Sequence, residues 1–329
     1  MRVLVTGGAG FIGSHFVKRL VAGGDEVVVL DLLTYAGNKA NLDGVDAPLV
    51  VGDIADADAV ANAARGCEAV VNFAAETHVD RSVLDPAVFV RTNVQGPLTL
   101  LEWARANGAR LVHVSTDEVY GDLEAGGASV EGDPLRPSSP YSATKAGGDL
   151  LLPAYVRTYG VNASITHGAN TYGPNQYPEK LIPLFCTNAF DALPLPVYGD
   201  GKQVREWLQV EDHCAAIDLV LREGGPGEAY NIGGEARENL HVTERILALT
   251  GADRSLIRHV EDRAGHDRRY CLDDTKVRAL GWTPAHRFDE TGLAATVAWY
   301  AANRAWWEPI KSGAYRAYYE EQYAARFQG

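Results

Sequence analysis

Cysteine is scarce in this chain, and its distribution excludes two kinds of site. The four cysteines, Cys67, Cys186, Cys214 and Cys271, are scattered over 329 residues, with no C-x-x-C pair and no histidine at metal-ligand spacing. Disulfide frameworks and structural metal sites both depend on denser or more regularly spaced cysteines. We therefore expect reduced core thiols and no metal.

Long apolar runs and an excess of positive charge are also lacking. No apolar run approaches the roughly 20 residues of a membrane span, and Met1-Arg2 leads straight into a predicted strand instead of a signal peptide. The net charge is −13, which disfavours nucleic acid and anionic membranes as partners. These features predict a cytoplasmic protein with no nucleic-acid and no membrane partner.

The chain shows a regular alternation of apolar β-runs and helical segments. Helical spacing covers "GSHFVKRLVAGG", "ADAVANAARG" and one long segment, 86–108, and another helix begins near Tyr141. Continuous Val and Leu runs separated by helices are typical of a parallel sheet covered on both faces. The predicted fold class is therefore α/β, with a doubly wound parallel (Rossmann-type) sheet. The predicted strands are "RVLVTGG", "EVVVLD", "APLVVGD", "AVVNFAA", "LVHVST" and "VNASITH".

The composition changes after about Asn170. The stretches "YGPNQYPEKLIP" and "ALPLPVYGDG" are rich in proline, glycine and tyrosine, which interrupt regular structure. We predict a first domain over residues 1–169, with returning segments near 205–235. A smaller, more irregular domain is predicted over 170–329.

Three glycines follow the first strand at regular spacing. Gly7, Gly10 and Gly13 form G-x-x-G-x-x-G between a predicted strand and a predicted helix. Because they lack side chains, the backbone can approach a pyrophosphate, and the helix N-terminus offers free N–H donors. The motif predicts a dinucleotide site, and the alternative is a glycine turn without a ligand.

A carboxylate ends the second strand. Asp31 follows Gly13 by 18 residues, close to the roughly 20 expected for an acid that binds the adenosine ribose. Since a carboxylate there repels a 2′-phosphate, the sequence predicts NAD rather than NADP. Asp53 and Ile54, after the third strand, suit the adenine end. The alternative role for Asp31 is to cap a helix.

Two adjacent carboxylates follow the fifth strand, in "LVHVSTDEVYGD". Thr116, Asp117 and Glu118 come where this strand ends, and α/β proteins bind ligands at the carboxyl ends of parallel strands. Acidic residues after a strand also commonly form a solvated loop or a helix cap, so both readings stay open at this point. His113, at the centre of the strand, is expected to be a core residue.

A tyrosine and a lysine are separated by one helical turn in "SPYSATKAGGDL". Tyr141 and Lys145 therefore project from the same face of the predicted helix. An ammonium near a phenol favours the phenolate, which can take the proton of a substrate alcohol while hydride leaves for nicotinamide. A Tyr/Lys pair on a solvated helix face is the alternative.

Together these residues resemble the extended short-chain dehydrogenase/reductase family. The likeness is carried by the glycine loop, Asp31, "NFAAETHVDRS", Thr116 with the Tyr/Lys pair, and "YGP". Within the family, "TDEVYG", "LTYAGN", "PEKLIP", "VREW" and "DRAGHDRRY" resemble the nucleotide-sugar 4,6-dehydratases that act on dTDP-glucose. The resemblance covers nearly the whole chain. It implies NAD as cofactor, a nucleotide-diphosphate hexose as substrate and a homodimer, with the first domain binding NAD and the second mainly the substrate.

The resemblance also implies a reaction and catalytic roles. The enzyme would be a hydro-lyase of deoxysugar biosynthesis that converts dTDP-glucose to dTDP-4-keto-6-deoxyglucose. Tyr141, supported by Lys145 and Thr116, would deprotonate the C4 hydroxyl as hydride leaves. Asp117 as acid and Glu118 as base would then eliminate water across C5 and C6, and the hydride would return to C6. An acidic Asp117 requires an environment that raises its pKa.

Ligand contacts follow from the same resemblance. The implied NAD contacts are Gly7, Gly10, Phe11, Ile12, Gly13, Asp31, Leu32, Leu33, Thr34, Asp53, Ile54, Ala74, Ala75, Thr92, Tyr141, Lys145 and Thr171. The implied substrate contacts are Thr77, Thr116, Asn170, Glu179, Lys180, Arg205, Asn231, Arg263 and His266. A planar guanidinium suits a diphosphate, and for the charged residues of this set the alternative is a surface ion pair.

Two positions depart from the family pattern. Thr171 stands where the family typically has a second asparagine before "YGP", and a hydroxyl cannot reproduce a carboxamide's paired donor and acceptor. Pro153 falls inside the helix that begins near Tyr141, where proline removes a hydrogen bond and kinks the helix. In the family this helix helps to form the dimer interface, so we expect its contacts to differ in detail.

Two other functions are compatible with the same scaffold. One is an NAD-dependent nucleotide-sugar 4-epimerase, which the Asp117/Glu118 pair disfavours. The other is a dinucleotide-binding module without catalysis, which the intact Thr116, Tyr141 and Lys145 disfavour.

Overall fold

Strands and helices alternate along most of the chain, as the sequence predicts. The computed structural model describes residues 1–124, 126–262, 266–312, 315 and 319. The strands are β1 Arg2–Thr6, β2 Glu26–Asp31, β3 Leu49–Val51, β4 Ala69–Asn72, β5 Arg110–Thr116, β6 Ala163–Gly168, β7 Asn170–Tyr172, β8 Leu195–Tyr198, β9 Val204–Gln209, β10 Ala229–Ile232, β11 Glu235–Glu238 and β12 Ile257–Val260. The α-helices are α1 Phe11–Ala22, α2 Ala57–Ala63, α3 Val79–Leu84, α4 Pro86–Val90, α5 Gly96–Asn107, α6 Pro140–Tyr159, α7 Leu181–Phe190, α8 Val210–Glu223, α9 Asn239–Thr250, α10 Thr275–Ala279, α11 Leu293–Ala302 and α12 Arg304–Trp307.

A seven-stranded parallel sheet forms the centre of the fold, which confirms the predicted fold class. Its strand order is β10-β6-β5-β4-β1-β2-β3, and every neighbouring pair is parallel. The order reverses between β1 and β4, so the carboxyl ends of these strands face a crevice, which is where doubly wound sheets bind ligands.

Helices cover both faces of this sheet because its strands are apolar on both sides. On β1, Val3 and Val5 pack with Phe16 of α1 and Ile217 of α8, while Leu4 points to the opposite face. That second face is covered by side chains from α2, α5 and α6. Successive strand residues alternate between faces, so a continuous apolar run is needed to bury both.

A third apolar cluster lies in the C-terminal part of the chain. It packs aromatic side chains from β7, β9 and α12 against α7, α9 and α11. The small sheets β11-β9-β7 and β12-β8 belong to this part, whereas α8 and β10 return to the large sheet. This placement agrees with returning segments near 205–235, and the division into domains at 169/170 stays a prediction.

The prediction of one long helix over 86–108 is wrong in one respect. The segment is helical, but a π-helical stretch, Arg91–Gln95, separates α4 from α5. Pro97 in the first turn of α5 has no N–H to give to the preceding turn, and Asn93 bonds through its side chain to the backbone of Glu76. The π-helical stretch accommodates both the missing N–H of Pro97 and the side-chain hydrogen bonds of Asn93.

The expectations about cysteine and membrane segments can be compared with the described residues. All four cysteines are free thiols, and three of them are buried. No cluster of metal-ligand side chains occurs among the described residues. In the part of the chain that the structure describes, no helix combines the length and apolarity of a membrane span.

Pro153 lies on the exposed side of α6, which runs through it as one helix from Pro140 to Tyr159. Proline in a helix interior costs about 3 kcal/mol relative to alanine because it removes one N–H and crowds the preceding turn. We predict that Pro153→Ala raises the free energy of unfolding by about 1–3 kcal/mol, measured by urea denaturation.

Thr158→Ala is the matched control, since Thr158 is exposed on the same helix. It should change stability by about 0.5 kcal/mol or less. Equal or lower stability of Pro153→Ala would show that the protein tolerates this proline at no cost.

Candidate active site

A cavity of about 310 Å³ opens at the carboxyl ends of the central strands, within the size range of small-molecule sites. All five predicted catalytic residues line it. So do sixteen of the seventeen predicted cofactor contacts, the exception being Leu33. Of the predicted substrate contacts, the cavity is lined by Thr77, Thr116, Asn170, Glu179 and Lys180.

The glycine loop forms one wall of the cavity by allowing very close backbone packing. Gly7 has a φ of +67°, and a Cβ there would lie 2.6 Å from the backbone nitrogen of Ala74. A Cβ on Gly13 would collide with the carbonyl oxygen of Gly7. The backbone at the start of α1 can therefore approach a ligand closely, and its N–H groups form an anion-binding helix terminus.

Asp31 fixes the loop that follows β2. Its two carboxylate oxygens accept hydrogen bonds from the backbone nitrogens of Ala9, at 2.9 Å, and Leu33, at 2.8 Å. Burial raises the pKa of Asp31, and these two hydrogen bonds oppose that rise. Each oxygen retains a lone pair for a ribose hydroxyl. Leu33 thus holds Asp31 through its N–H and does not itself line the cavity.

The pair after β5 is neither a solvated loop nor a simple cap. Thr116 caps a 3-10 turn, Asp117–Tyr120, by accepting from the N–H of Glu118. The Asp117 side chain is buried, with 2% exposure. Its Oδ1 accepts from the Thr116 hydroxyl at 3.1 Å, and its Oδ2 has no partner within the described residues.

Burial and a like charge decide the protonation of Asp117. Desolvation, followed by the negative charge of Glu118, raises the pKa of Asp117 to about 8. This carboxyl group is therefore mostly protonated at neutral pH and can act as an acid. The acid role that the resemblance implies for Asp117 requires a raised pKa, and burial of its side chain in the short turn after β5 provides it.

Tyr141 and Lys145 project from the same face of α6 into the cavity, but the protein alone does not lower the pKa of the phenol. Burial and the charge of Glu118 raise the pKa of Tyr141 well above 10, partly offset by a hydrogen bond with Thr116. The Lys145 ammonium donates to the carbonyl of Val114 at 2.8 Å, and burial lowers its pKa to about 8. The expected phenolate thus needs further positive charge beside the ring.

A buried polar network lies directly beneath these residues. Asp149 accepts from the Ser115 hydroxyl at 2.8 Å and contacts His167 Nε2 at 3.2 Å. Burial would raise the pKa of Asp149, but His167 and Lys145 hold it below its usual value. His113 is buried, and desolvation lowers its pKa to about 3, so it is neutral. It is a core residue, as the sequence predicts.

Glu179 and Lys180 also line the cavity. Glu179 is almost fully buried, accepts from the Tyr35 hydroxyl at 3.0 Å, and lies 3.4 Å from the Arg81 guanidinium. Lys180 Nζ donates to the Thr77 carbonyl at 2.8 Å. For Glu179 the sequence left open a surface ion pair, which its burial excludes.

Three predicted substrate contacts lie away from the cavity lining. Arg205 is buried, donates to the carbonyls of Val204 and Asp267, and stacks 4.3 Å from the Tyr270 ring. Asn231 is fully buried, with its amide bonded to Tyr120 and Ser129. His266 contacts Asp262. Arg263 lies outside the described residues. The roles of these four residues stay predictions, and Asn231 has both ends of its amide occupied.

The sequence analysis missed several residues that line the cavity. Glu76, Ser115, Gln176, Tyr177 and His213 are the polar ones. His213 lies near the start of α8, far along the chain from the glycine loop and from the Tyr/Lys pair, and contacts Thr171 at 2.8 Å. The only local signal was a histidine shortly after the strand "VREWLQ".

Comparison with known proteins gives a consistent match. The sequence model of the NAD dependent epimerase/dehydratase family matches residues 3–233. A dTDP-glucose 4,6-dehydratase of Streptomyces niveus is 53% identical over 325 residues, covering 95% of this chain and 96% of that protein.

Solved structures agree with the sequence comparison. The crystal structure of DesIV, a dTDP-glucose 4,6-dehydratase from Streptomyces venezuelae with NAD bound, is 55% identical, with a TM-score of 0.92, and covers 94% of this chain and 100% of that chain. A dTDP-glucose 4,6-dehydratase from Bacillus anthracis in complex with NAD is 44% identical, with a TM-score of 0.88, and covers 94% and 100%. Since the family match spans well over half of its residues and these likenesses span nearly all of them, the chain belongs to the NAD dependent epimerase/dehydratase family.

Proposed function

We propose that this chain is an NAD-dependent hydro-lyase that converts dTDP-glucose to dTDP-4-keto-6-deoxyglucose and water. The observation that carries the proposal is the buried Asp117 beside Glu118, in the same cavity as Tyr141. Relatives that share about half of its residues are named for this activity. Neither a 4-epimerase nor a binding module without turnover needs a protonated carboxyl beside a second carboxylate.

The first stage is oxidation at C4 of the glucose ring. When bound, NAD would supply the acceptor for the C4 hydride and the source of the same hydride for C6, so no external oxidant would be consumed. Tyr141 takes the proton of the C4 hydroxyl. A hydrogen bond with Thr116 works to lower the pKa of the phenol, which requires the hydroxyl to turn its single proton from Asp117 Oδ1 to the phenolate as it forms. Lys145 holds positive charge one helical turn away.

The second stage removes water across C5 and C6. A ketone at C4 acidifies the neighbouring C5–H, and Glu118 takes that proton. Asp117 donates its own proton to the C6 hydroxyl, which leaves as water while the C5–C6 double bond forms. When the hydride is added at C6, Glu118 gives back to C5 the proton that it holds, which completes the 4-keto-6-deoxy product. Two adjacent carboxyl groups with opposite protonation states thus divide the work of acid and base.

Parallel incubations with dTDP-glucose and UDP-glucose test this proposal. Mass spectrometry should show a 4-keto-6-deoxy product that has lost one water, formed faster from dTDP-glucose. A product of unchanged mass would instead establish an epimerase, and absence of any product with either sugar would contradict an enzyme of this class.

The acid role of Asp117 gives a specific prediction. Asp117→Asn should still oxidise C4, seen as reduced-nicotinamide absorbance, but elimination should slow by about 10²–10⁴-fold, the usual contribution of a general acid. In the unaltered protein, elimination in single turnover should fall as pH rises through about 8, since the acid form is lost above that pKa. The variant should lack this pH dependence.

Asp58→Asn is the control for this change, because Asp58 is an exposed carboxylate on α2. It should leave oxidation, elimination and the pH profile as they are. Undiminished elimination in Asp117→Asn would rule out the proposed acid.

We also propose that the two parts of the chain divide the ligands. Residues 1–169, with α8 and β10 returning near 205–235, would hold NAD, and residues 170–329 would mainly hold the nucleotide sugar. Support comes from the position of the glycine loop and Asp31 at one end of the cavity-lining strands and of Glu179 and Lys180 on the segment before α7.

The partner that we propose is a second copy of this chain, forming a homodimer in the cytoplasm. Exposed aliphatic side chains concentrate on α3, α4, α5 and α6, which pack against one another. Apolar groups collected on adjoining helices are typical of an interface. They are Val83, Leu84, Val88, Val90, Leu98 and Leu150.

Leu150→Arg tests this interface, because Leu150 is 62% exposed at the middle of α6. A buried, unpaired guanidinium is costly, so the variant should be monomeric at concentrations where the unaltered protein is dimeric in sedimentation velocity. Leu249→Arg, an exposed leucine on α9, should leave the mass unchanged. A Leu150→Arg variant that stays dimeric would place the interface elsewhere.

A further inference from the structure

His213 lies against the cavity wall at the end of β6. It is almost fully buried, yet its ring lines the cavity. A Cβ on Gly168 would lie 2.5 Å from both Cε1 and Nε2 of the ring. Only glycine at position 168 therefore lets the imidazole lie where it does.

The hydrogen bonds of Thr171 determine which ring nitrogen carries the proton. The Thr171 hydroxyl donates to the carbonyl of Ala169 at 3.1 Å, and a carbonyl oxygen can only accept. The hydroxyl has one proton, so its 2.8 Å contact with His213 Nδ1 is a bond that Nδ1–H donates. Burial lowers the pKa of His213 to about 4, so the ring is neutral.

Nε2 of His213 is consequently a bare acceptor. It is buried and has no hydrogen-bond partner among the described residues. An unpaired acceptor in such a position costs free energy, and the cavity offers a place for a donor.

A ligand in the cavity can supply that donor. Gly168, against which His213 lies, ends β6, and Ser115 belongs to the neighbouring β5, whereas Asp31 and Asp53 follow β2 and β3 towards the other edge of the sheet. An adenine held near Asp31 and Asp53 would therefore lie away from His213. The part of NAD that carries N–H donors at the other end is the nicotinamide carboxamide.

We propose that His213 is a positioning residue for the cofactor, with Nε2 accepting a hydrogen bond from the carboxamide N–H of nicotinamide. This role rests on the cofactor of the proposed function, not on which sugar is bound. Thr171 then acts through His213, by fixing the tautomer, instead of contacting the carboxamide. The threonine thereby compensates for the carboxamide side chain that it replaces in the family pattern.

The test compares NAD with its 3-acetylpyridine analogue, which keeps the carbonyl but has no N–H. Dissociation constants are measured by calorimetry on the full-length chain freed of nucleotide. The unaltered protein should bind NAD about tenfold more tightly than the analogue, the worth of one hydrogen bond. In His213→Asn, which reaches Thr171 but not the Nε2 position, this ratio should fall to about one through loss of NAD affinity.

His241→Asn is the matched control, since His241 is a partly exposed histidine on α9. It should keep the tenfold ratio. A purely structural role of His213 would weaken both dinucleotides equally and preserve the ratio, and that result would overturn the proposal. A ratio of one in the unaltered protein would overturn it as well.

Gly168→Ala provides a second variant in case His213→Asn folds poorly. The added methyl displaces the ring, so the ratio should again fall to about one, and the double variant should lose no more than either single change. A Gly168→Ala protein that keeps the tenfold ratio would contradict the proposal. If the unaltered protein bound neither dinucleotide, the proposal that it uses NAD would fail. That outcome is distinct from a failure of the role proposed for His213 alone.

Discussion

The proposed chemistry depends on one carboxyl group staying protonated next to another that carries charge. Asp117 satisfies this condition because the 3-10 turn after β5 buries its side chain, and because Glu118 adds negative charge beside it. An exposed aspartate at the same place would be ionised at neutral pH and would have no proton to give. The position of the turn, directly after the strand, makes the acid and the base share one cavity.

The buried network beneath the site serves the same electrostatic balance. Lys145 is fully enclosed, and desolvation works against its positive charge. Asp149 opposes that effect from one turn further along α6, and it is itself kept ionised by His167 and Lys145. Charges in a low-dielectric interior are retained only when they are paired in this way. The polar core under β5 and β6 is therefore part of the site, although none of its imidazoles needs to touch a substrate.

The Tyr/Lys pair illustrates how far a local pattern can be carried. Its spacing correctly placed both side chains on one helix face and in the cavity. It also suggested that Lys145 lowers the pKa of Tyr141, whereas burial raises that pKa and the ammonium bonds to a strand carbonyl. Spacing fixes direction along a helix, but the sign of a pKa shift depends on desolvation by the rest of the fold.

The sequence alone determined the alternation of strands and helices along the chain, the glycine loop, the acid at the end of β2 and the carboxylates after β5. Each of these depends on local periodicity or on a turn within a few residues. Only the tertiary structure decided that Asp117 is protonated, that Arg205 and Asn231 form internal hydrogen bonds, and that the His213 ring lies against Gly168. These properties arise from burial and from contacts between segments far apart in the chain, and no short stretch of residues encodes either.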